Sequence, residues 1–190
     1  MWILDKGFAS SALRPICEKY AKKNHIAYDL GCGGNIIPTI ILAGYVQKVY
    51  AVEKNDDALK SFKKYLKKAF ETQSLPIEVI QADIKCFKSE NETVTAYLNN
   101  QTVRTGLPKA DIAMLHQSTP WMSESAVAGI YELMRLGGYL FILDEKAILE
   151  IIHKKWVFKG FSEVERDFNT YKGFGGSDDA YIVMQKTDSV

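Results

Sequence analysis

Short apolar runs alternate with longer segments of helical spacing along most of this 190-residue chain. Five runs have the composition of buried strands, at residues 26–30, 48–53, 77–81, 111–115 and 139–143. Apolar residues three and four positions apart follow most of them, as in amphipathic helices. This alternation predicts a parallel sheet, because parallel strands are joined by helices that cover both faces of the sheet.

Six helices are predicted around these strands, at residues 10–23, 36–43, 58–70, 91–99, 123–136 and 147–153. The helix at 91–99 is predicted because Ser89 and Glu92 have the spacing of a capping box. Gly137 and Gly138 predict the end of the helix before the fifth strand, since glycine adopts the left-handed conformation at many helix C-termini.

The last part of the chain has a different pattern. Residues 162–168 and 180–186 both resemble strands, and no helical spacing separates them, so they are predicted to pair as an antiparallel hairpin across the loop 169–179. We therefore expect an α/β fold, a Rossmann-like three-layer sandwich with helices on both faces. Its seven-stranded, mostly parallel sheet would end in the C-terminal antiparallel hairpin.

Length and composition indicate a single domain, and the net charge does not favour a particular class of partner. At 190 residues and 47% hydrophobic, the chain fits a single core. Within it we expect an N-terminal helical cap at 1–25, a β/α core at 26–155 and the closing hairpin at 156–190. The formal net charge of +1 favours neither nucleic acid nor an anionic membrane as a partner.

The cysteines and the apolar segments indicate in which cellular compartment the protein is expected. Cys17, Cys32 and Cys86 are widely spaced and include no C-x-x-C pair. This is typical of reduced thiols in a cytoplasmic protein rather than of disulfides or a zinc site. No segment has the length of a membrane span or the pattern of a signal peptide, so a soluble protein is expected.

A glycine-rich turn follows the first predicted strand, where residues 29–35 read DLGCGGN, and the second strand ends in Glu53. Ligands of parallel α/β sheets bind at the carboxyl ends of the strands. Glycines there allow close approach of the backbone, and a carboxylate can accept hydrogen bonds from both hydroxyls of a ribose. A nucleoside cofactor is therefore predicted at this edge.

NAD-dependent oxidoreductases share these features but have the fingerprint G-x-G-x-x-G. That fingerprint would require glycine at position 36, where this chain has Ile36. A branched side chain at the start of the helix obstructs a pyrophosphate. Together with the closing hairpin, Ile36 makes an NAD-dependent oxidoreductase the less favoured enzyme class.

In their order and spacing, the motifs resemble those of class I S-adenosylmethionine-dependent methyltransferases. The residues at 29–35 are similar to the family motif D-x-G-x-G-x-G. The matching features that follow are Glu53, the sequence ADI at 82–84, Asp111, the sequence LGG at 136–138 and the hairpin. The resemblance covers about residues 27–186. Asn35 stands where the family commonly has a third glycine, and asparagine tolerates left-handed backbone better than most residues.

The resemblance implies S-adenosylmethionine as the cofactor. Some family members also use magnesium, but we expect no metal here, because the end of the fourth strand offers only His116 and Gln117 as further ligands. The cofactor-binding residues that it implies are Asp29, Gly31, Cys32, Gly33, Glu53, Lys54, Asp83, Ile84 and His116. The glycine turn would line the methionine moiety, with Asp29 near its amino group. Glu53 would bind the ribose hydroxyls and Lys54 would flank the adenine. Asp83 would accept from the exocyclic amine of the adenine, to which Ile84 would contribute its backbone N–H.

The acceptor site is expected after the fourth strand, where residues 116–121 read HQSTPW. This is not the N/D-P-P-Y/F motif with which many amino-group methyltransferases hold a planar amine. The pKa range of His116 suits a general base, although a hydrogen-bonded histidine that ends a strand is an equal alternative. Candidate substrate-binding residues are Gln117, Trp121 and, in the glycine-rich loop of the hairpin, Tyr171.

We therefore predict a methyltransferase that acts on an oxygen, nitrogen or carbon atom of a small molecule. An RNA methyltransferase and an S-adenosylmethionine-binding protein without transfer activity are the alternatives. Five lysines on one helix could contact RNA, but a solvated helix face is the preferred explanation, since no aromatic residues for base stacking are evident among them. These lysines are Lys60, Lys63, Lys64, Lys67 and Lys68.

Overall fold

The computed structural model describes the backbone of residues 8–71, 74–118, 123–155, 160–172 and 178–187. Side chains are described for all of these except 8–11, 152–155, 169–172 and 178–179. The helices are α1 (Phe8–Tyr20), α2 (Ile37–Ala43), α3 (Asp56–Phe70), α4 (Glu124–Leu133) and α5 (Lys146–Lys155). The strands are β1 (Ile26–Leu30), β2 (Lys48–Glu53), β3 (Ile77–Gln81), β4 (Phe87–Glu90), β5 (Thr93–Leu98), β6 (Gln101–Pro108), β7 (Ala110–His116), β8 (Met134–Glu145), β9 (Phe161–Lys172) and β10 (Asp178–Lys186).

Seven strands form the main sheet in the order β3-β2-β1-β7-β8-β10-β9. The first five are parallel, and β10 is antiparallel to both β8 and β9. The predicted α/β fold with a closing antiparallel hairpin is confirmed. The strand order reverses direction between β1 and β7, so the carboxyl ends of these two strands diverge and leave a crevice there.

Helices cover both faces of this sheet, because alternate side chains of each strand point to opposite faces. On one face, α1 and α2 pack on Ala27, Val49 and Phe141, and α3 packs beside them on Ala51. On the other face, Tyr28 belongs to the core that includes α4 and α5. Among the described helices, none is both long and apolar enough to cross a membrane.

The segment predicted as a helix at 91–99 contains β5, the central strand of a second, three-stranded antiparallel sheet, so that prediction was wrong. Its strands β4, β5 and β6 are joined at Asn91 and at Asn99 and Asn100, all three of which have positive φ. Asparagine favours such tight turns. The side chains of Val94 and Ala96 are buried in the core of the main sheet, whereas Ser89 and Glu92 form no helix cap.

Gly137 and Gly138 lie inside β8 and not at the end of α4, which is a second correction. The helix ends at Leu133, and the pairing of β7 with β8 skips residues between Met134 and Tyr139. Gly137 occupies this irregularity with φ 76°. The end of α4 is capped by a side chain from the last strand, as Lys186 Nζ donates to the carbonyls of Tyr131 (2.7 Å) and Met134 (2.8 Å).

The closing hairpin is longer than predicted, since β9 and β10 extend into the predicted loop 169–179. Its strands are tied to α1 through Glu165, which accepts hydrogen bonds from Lys19 Nζ (2.5 Å), Tyr20 Oη (2.5 Å) and Tyr181 Oη (2.8 Å). The N-terminal helix is thereby fixed on the sheet near its edge. The division of the chain at residues 25 and 155 stays a prediction.

The buried face of α3 is narrower than its sequence indicates. Leu59, Phe62, Leu66 and Ala69 are buried, as their spacing predicts. Tyr65 and Phe70, which the helical spacing also assigns to this face, keep 49% and 41% of their surface exposed. The exposed surface of α3 therefore includes two aromatic rings as well as the lysines. Asn55 caps the start of the helix, since its side chain accepts from the N–H groups of residues 57 and 58.

Candidate functional site

A cavity of about 400 Å³ opens at the carboxyl ends of β1, β2, β3 and β7. Its lining includes most of the residues that the sequence indicated for the cofactor, together with Gln117. The residues that line it are Gly31, Gly33, Glu53, Lys54, Asn55, Ala58, Ala82, Asp83, Ile84, Lys85, Leu115, Gln117, Ser118 and Ala126. The edge of the sheet predicted for a nucleoside thus contains a cavity within the size range of small-ligand sites, roughly 300–1,000 Å³.

The glycine turn has a backbone conformation that other residues rarely adopt. Gly31 and Gly33 have φ values of 71° and 57°. The N–H groups of Gly31 and Cys32 both donate to the carbonyl of Val52, at 2.8 and 3.1 Å. A Cβ on Gly31 would lie 3.1 Å from Cβ of Ser118. Glycine at position 31 is therefore needed both for the turn and for the close approach of the segment after β7.

The carboxylate of Glu53 is held by two backbone N–H groups at the end of β2. Oε2 accepts from Gly33 at 3.0 Å, and Oε1 accepts from Asn55 at 2.8 Å. Each carboxylate oxygen has two lone pairs, so both oxygens retain the capacity to accept a further hydrogen bond. The side chain is thus held in one orientation at the cavity wall, and each of its oxygens can accept one more hydrogen bond. A pair of ribose hydroxyls requires this arrangement.

The turn after β3 forms another part of the wall. Asp83 Oδ1 accepts from the N–H of Lys85 at 3.0 Å, and Oδ2 lies 3.8 Å from Nζ of Lys54. Ile84 lies at the wall together with Leu115 and with Ala126 of α4, so apolar side chains are available to contact a flat ring. The carboxylate next to this apolar wall can accept from an amino group on such a ring.

Asp29 lies in the glycine motif, but its side chain is outside the lining of the cavity. It is 1% exposed, and Thr39 Oγ1 donates to its Oδ2. Oδ1 is buried and has no partner within the described part of the chain. Burial raises the pKa of this carboxyl to about 7, so that a large fraction of it is protonated at neutral pH.

Cys32 and Asn35 also have their side chains outside this lining. Cys32 packs against α2 and α3, where burial raises the pKa of its thiol far above the ordinary range. Asn35 Oδ1 accepts from the N–H of Ile37 at 3.1 Å. Asn35 is not among the described residues with positive φ, so it does not adopt the left-handed backbone that its place in the glycine motif suggested.

His116 ends β7 and is outside the lining of the cavity, whereas the residues before and after it, Leu115 and Gln117, belong to the lining. Desolvation lowers the pKa of its imidazole to about 4. The ring is thus neutral at physiological pH and a weaker base than a free histidine, which does not favour a role as general base. Its assignment to catalysis stays a prediction.

Gln117 is the described residue that best fits the predicted acceptor side. Its φ is 51°, a left-handed conformation that is strained for a residue with a side chain, and its N–H donates to the carbonyl of Leu143 at 2.9 Å. Ser118, next in the chain, donates through Oγ to the carbonyl of Leu30 at 3.3 Å. These bonds fix the segment after β7 against the ends of β1 and β8.

Two predicted substrate residues have no described side chain. Trp121 lies outside the described residues. Tyr171 lies in β9 and pairs with Asp179 of β10, but only its backbone is described. Within the described part of the chain, no three His, Cys, Asp or Glu side chains are close enough together to hold a metal ion.

Several residues of the site were not identified from the sequence. Leu115, Ser118 and Ala126 are small or apolar, and nothing in their residue types distinguishes them from core residues. Gly129 in α4 touches the turn after β3, and Tyr97 of β5 accepts through its carbonyl from the N–H of Asp83 at 3.0 Å. An isolated glycine within a helical pattern was the available signal for Gly129.

No protein-family model and no curated protein matches this chain, but many solved structures do. An rRNA methylase from Streptococcus thermophilus is 17% identical, with a TM-score of 0.57 over 93% of this chain and 95% of that one. The N-methyltransferase NodS from Bradyrhizobium japonicum, in complex with S-adenosyl-L-homocysteine, is 13% identical, with a TM-score of 0.62 over 97% and 91%.

A precorrin 8W decarboxylase from Methanobacterium thermoautotrophicum is 17% identical, with a TM-score of 0.55 over 94% of this chain and 91% of that one. At these levels of identity the likeness establishes the fold, which is that of class I methyltransferases. The three proteins bear the names of different activities, so the fold is compatible with more than one acceptor.

Proposed function

We propose that this chain is an S-adenosylmethionine-dependent methyltransferase that acts on an oxygen, nitrogen or carbon atom of a small molecule. The observation that carries the proposal is the oriented carboxylate of Glu53. It lies in the wall of a cavity that also includes the glycine turn and Asp83. A nucleoside fits this combination of groups, since the two carboxylates of the lining, Glu53 and Asp83, can accept from ribose hydroxyls and from an amino group on a ring.

When bound, S-adenosylmethionine supplies an electrophilic methyl group, which an acceptor atom takes while the carbon–sulfur bond breaks to leave a neutral thioether. The chain would contribute chiefly by positioning. In this proposal Glu53 binds the ribose and the turn at 83–84 binds the adenine. Gln117, held in a strained conformation at the cavity, orients the acceptor.

A small acceptor is favoured by the charges around the cavity. The described lining contains two carboxylates, Glu53 and Asp83, and two lysines, Lys54 and Lys85. Charges of both signs therefore surround the cavity, whereas a phosphate backbone requires a continuous basic surface. We also propose a cytoplasmic location, with which the buried free thiols of Cys17 and Cys32 agree.

An RNA methyltransferase remains the second candidate, because of the outer face of α3. Tyr65 is 49% exposed on a helix that carries five lysines, and an aromatic ring among basic residues is suited to stacking on a base. Transfer of labelled methyl groups to RNA, abolished by changing these lysines to glutamine, would favour this candidate over a small acceptor.

Calorimetric titration tests the proposal most directly. S-adenosylmethionine, S-adenosylhomocysteine and NADH would each be titrated into the wild type, into Glu53→Ala and into Glu71→Ala, whose exposed glutamate follows α3 and serves as the control. Binding of both sulfur nucleosides but not NADH, lost only in Glu53→Ala, is expected. Binding of NADH alone would contradict the proposal. If the cofactor binds but no acceptor is methylated, the chain is a binding protein.

A further inference from the structure

Gly129 lies within α4, where glycine is less favourable than almost any other residue. It is buried, and a Cβ at this position would overlap the carbonyl oxygen of Ile84. That Cβ would also lie 3.1 Å from the carbonyl carbon of Ile84 and 3.2 Å from that of Lys85. Since these atoms belong to the backbone, no rotation of a side chain can relieve the overlap. The helix and the turn are therefore in contact only because residue 129 is glycine.

The turn that Gly129 touches is residues 83–86, and β5 holds its other side. The N–H of Asp83 donates to the carbonyl of Tyr97 at 3.0 Å, and the N–H of Cys86 donates back to the carbonyl of Asp83 at 2.9 Å. The turn is thus enclosed between α4 and the second sheet. A displacement forced from the α4 side would have to strain the bond to Tyr97 or move the strand with it.

Both groups that the proposed function assigns to the adenine belong to this turn. They are the carboxylate of Asp83, which would accept a hydrogen bond from the exocyclic amine, and the backbone N–H of Ile84, which would donate to the adenine. Hydrogen bonds weaken steeply when donor and acceptor move from their preferred distance and angle. Ala126, one turn before Gly129 in α4, lines the cavity itself. The position of α4 therefore sets the geometry of this part of the wall.

We propose that Gly129 is a positioning residue for cofactor recognition, which lets α4 lie against the turn at 83–86 so that Asp83 and Ile84 face the edge of the adenine. The inference rests on the proposed function. It adds a specificity determinant that does not itself touch the cofactor. It also gives α4 a role in distinguishing a 6-amino purine from a 6-oxo purine, because only the amine donates to the carboxylate of Asp83.

The test compares wild type with Gly129→Ala by calorimetry, using S-adenosylhomocysteine and S-inosylhomocysteine, in which the amine is replaced by an oxygen. Wild type should bind the amino compound more tightly. In Gly129→Ala we expect affinity for the amino compound to fall about tenfold or more, the effect of losing one hydrogen bond to a charged group. Affinity for the oxo compound should change little. The ratio of the affinity for the amino compound to that for the oxo compound should therefore fall about tenfold or more.

Ala128→Gly is the matched control, since residue 128 is exposed on the same helix. It lowers helix propensity and should leave the ratio of affinities unchanged. Equal ratios in wild type and Gly129→Ala would overturn the inference. Failure of wild type to bind either compound would instead contradict the proposed function.

Hydrogen exchange on the wild type tests the same inference without a variant, in case Gly129→Ala does not fold. S-adenosylhomocysteine should slow exchange at the amides of the turn 83–86 and of the second half of α4 together. Protection of the turn alone, with α4 unchanged, would show that the two are not coupled and would also overturn the inference.

Discussion

The backbone N–H of Gly33 donates to the carboxylate of Glu53 over 3.0 Å, so the end of β2 holds the glycine turn that follows β1. The other oxygen of the carboxylate holds Asn55 at the start of α3. One side chain therefore connects three segments of the cavity wall. Its loss should disturb the shape of the site as well as remove a contact with the cofactor.

Glu53→Gln separates these two effects, because the amide nitrogen of glutamine cannot accept a hydrogen bond. Either Gly33 or Asn55 should lose its partner, and exchange of that amide with deuterium should accelerate. Affinity for S-adenosylhomocysteine should fall about tenfold, as expected when one charge-assisted hydrogen bond is lost. Unchanged exchange at both amides would show that the carboxylate does not hold the turn in solution.

Gln117→Gly should be more stable than Gln117→Ala. Residue 117 has φ 51°, where a Cβ is strained and glycine is not. We expect Gln117→Gly to unfold with a free energy about 1 kcal/mol higher than that of Gln117→Ala, which keeps the Cβ. Denaturation in urea measures this difference, and both variants should bind S-adenosylhomocysteine like the wild type. A glycine variant no more stable than the alanine variant would contradict the proposed strain.

The raised pKa of Asp29 predicts that stability depends on pH with a sign opposite to that of most carboxylates. Its folded-state pKa is raised to about 7 from 3.8. Below pH 4 the group is protonated in both the folded and the unfolded state, so it does not reduce the free energy of unfolding. Between pH 4 and 7 the unfolded chain releases a proton that the folded chain keeps. Stability should therefore fall as pH rises, by up to about 1.4 kcal/mol per unit, and level off above pH 7.

Asp29→Asn removes this titration while keeping an oxygen for Thr39. The stability of wild type relative to Asp29→Asn should decrease steadily between pH 4 and pH 7. Urea midpoints at pH 4, 5.5, 7 and 8 give the comparison. Parallel curves for the two proteins would mean that Asp29 titrates normally in the folded state.

Glu165 titrates in the opposite direction. Hydrogen bonds from Lys19, then from Tyr20 and Tyr181, hold the pKa of its carboxyl at about 2 in place of 4.5. Its contribution is present above pH 4.5 and is lost as the pH falls toward 2. Glu165→Gln should reduce stability at pH 7 by about 1 kcal/mol, as for a well-formed surface pair, and by less near pH 2. A difference that is the same at both pH values would rule out this linkage.

Lys186 should contribute more to stability than an ordinary lysine. Its ammonium is buried, donates to the two carbonyls at the end of α4 and lies 3.8 Å above the ring of Tyr131. Lys186→Met removes both hydrogen bonds of the ammonium and its contact with the ring of Tyr131, and it should cost about 1–3 kcal/mol. Lys63→Met, on the exposed face of α3, should change stability by less than about 0.5 kcal/mol. Thermal unfolding of both variants provides the measurement, and similar losses would contradict the capping role.

The main sheet could be predicted because its strands are short, apolar and regularly spaced. The strand at 77–81 agrees with its prediction residue by residue. The second sheet could not be predicted from the Ser89 and Glu92 spacing, because a capping box is a local pattern that also occurs where no helix forms. Thr93 to Tyr97 alternate as a half-buried strand does, and this alternation was the better guide.

The site could be predicted only in part for a related reason. Sequence position indicates which end of a strand a residue occupies, and so the prediction placed Glu53 and Asp83 at the cavity. The position of a residue along its strand does not reveal whether its side chain points into the cavity or away from it. His116 is the last residue of β7 and Asp29 the last but one of β1, yet their side chains are outside the lining of the cavity. Contacts across the fold, such as that of Gly129 with Ile84, depend on packing that no local pattern encodes.

The place of β10 between β8 and β9 has a consequence for synthesis on the ribosome. Strand β9 is synthesised first, but among the described strands it pairs only with β10, so the nascent chain carries β9 without this partner until β10 has been made. An unpaired strand is prone to associate with other chains. Strand β9 carries four charged side chains close together, which oppose such association until β10 is available. They are Glu163, Glu165, Arg166 and Asp167.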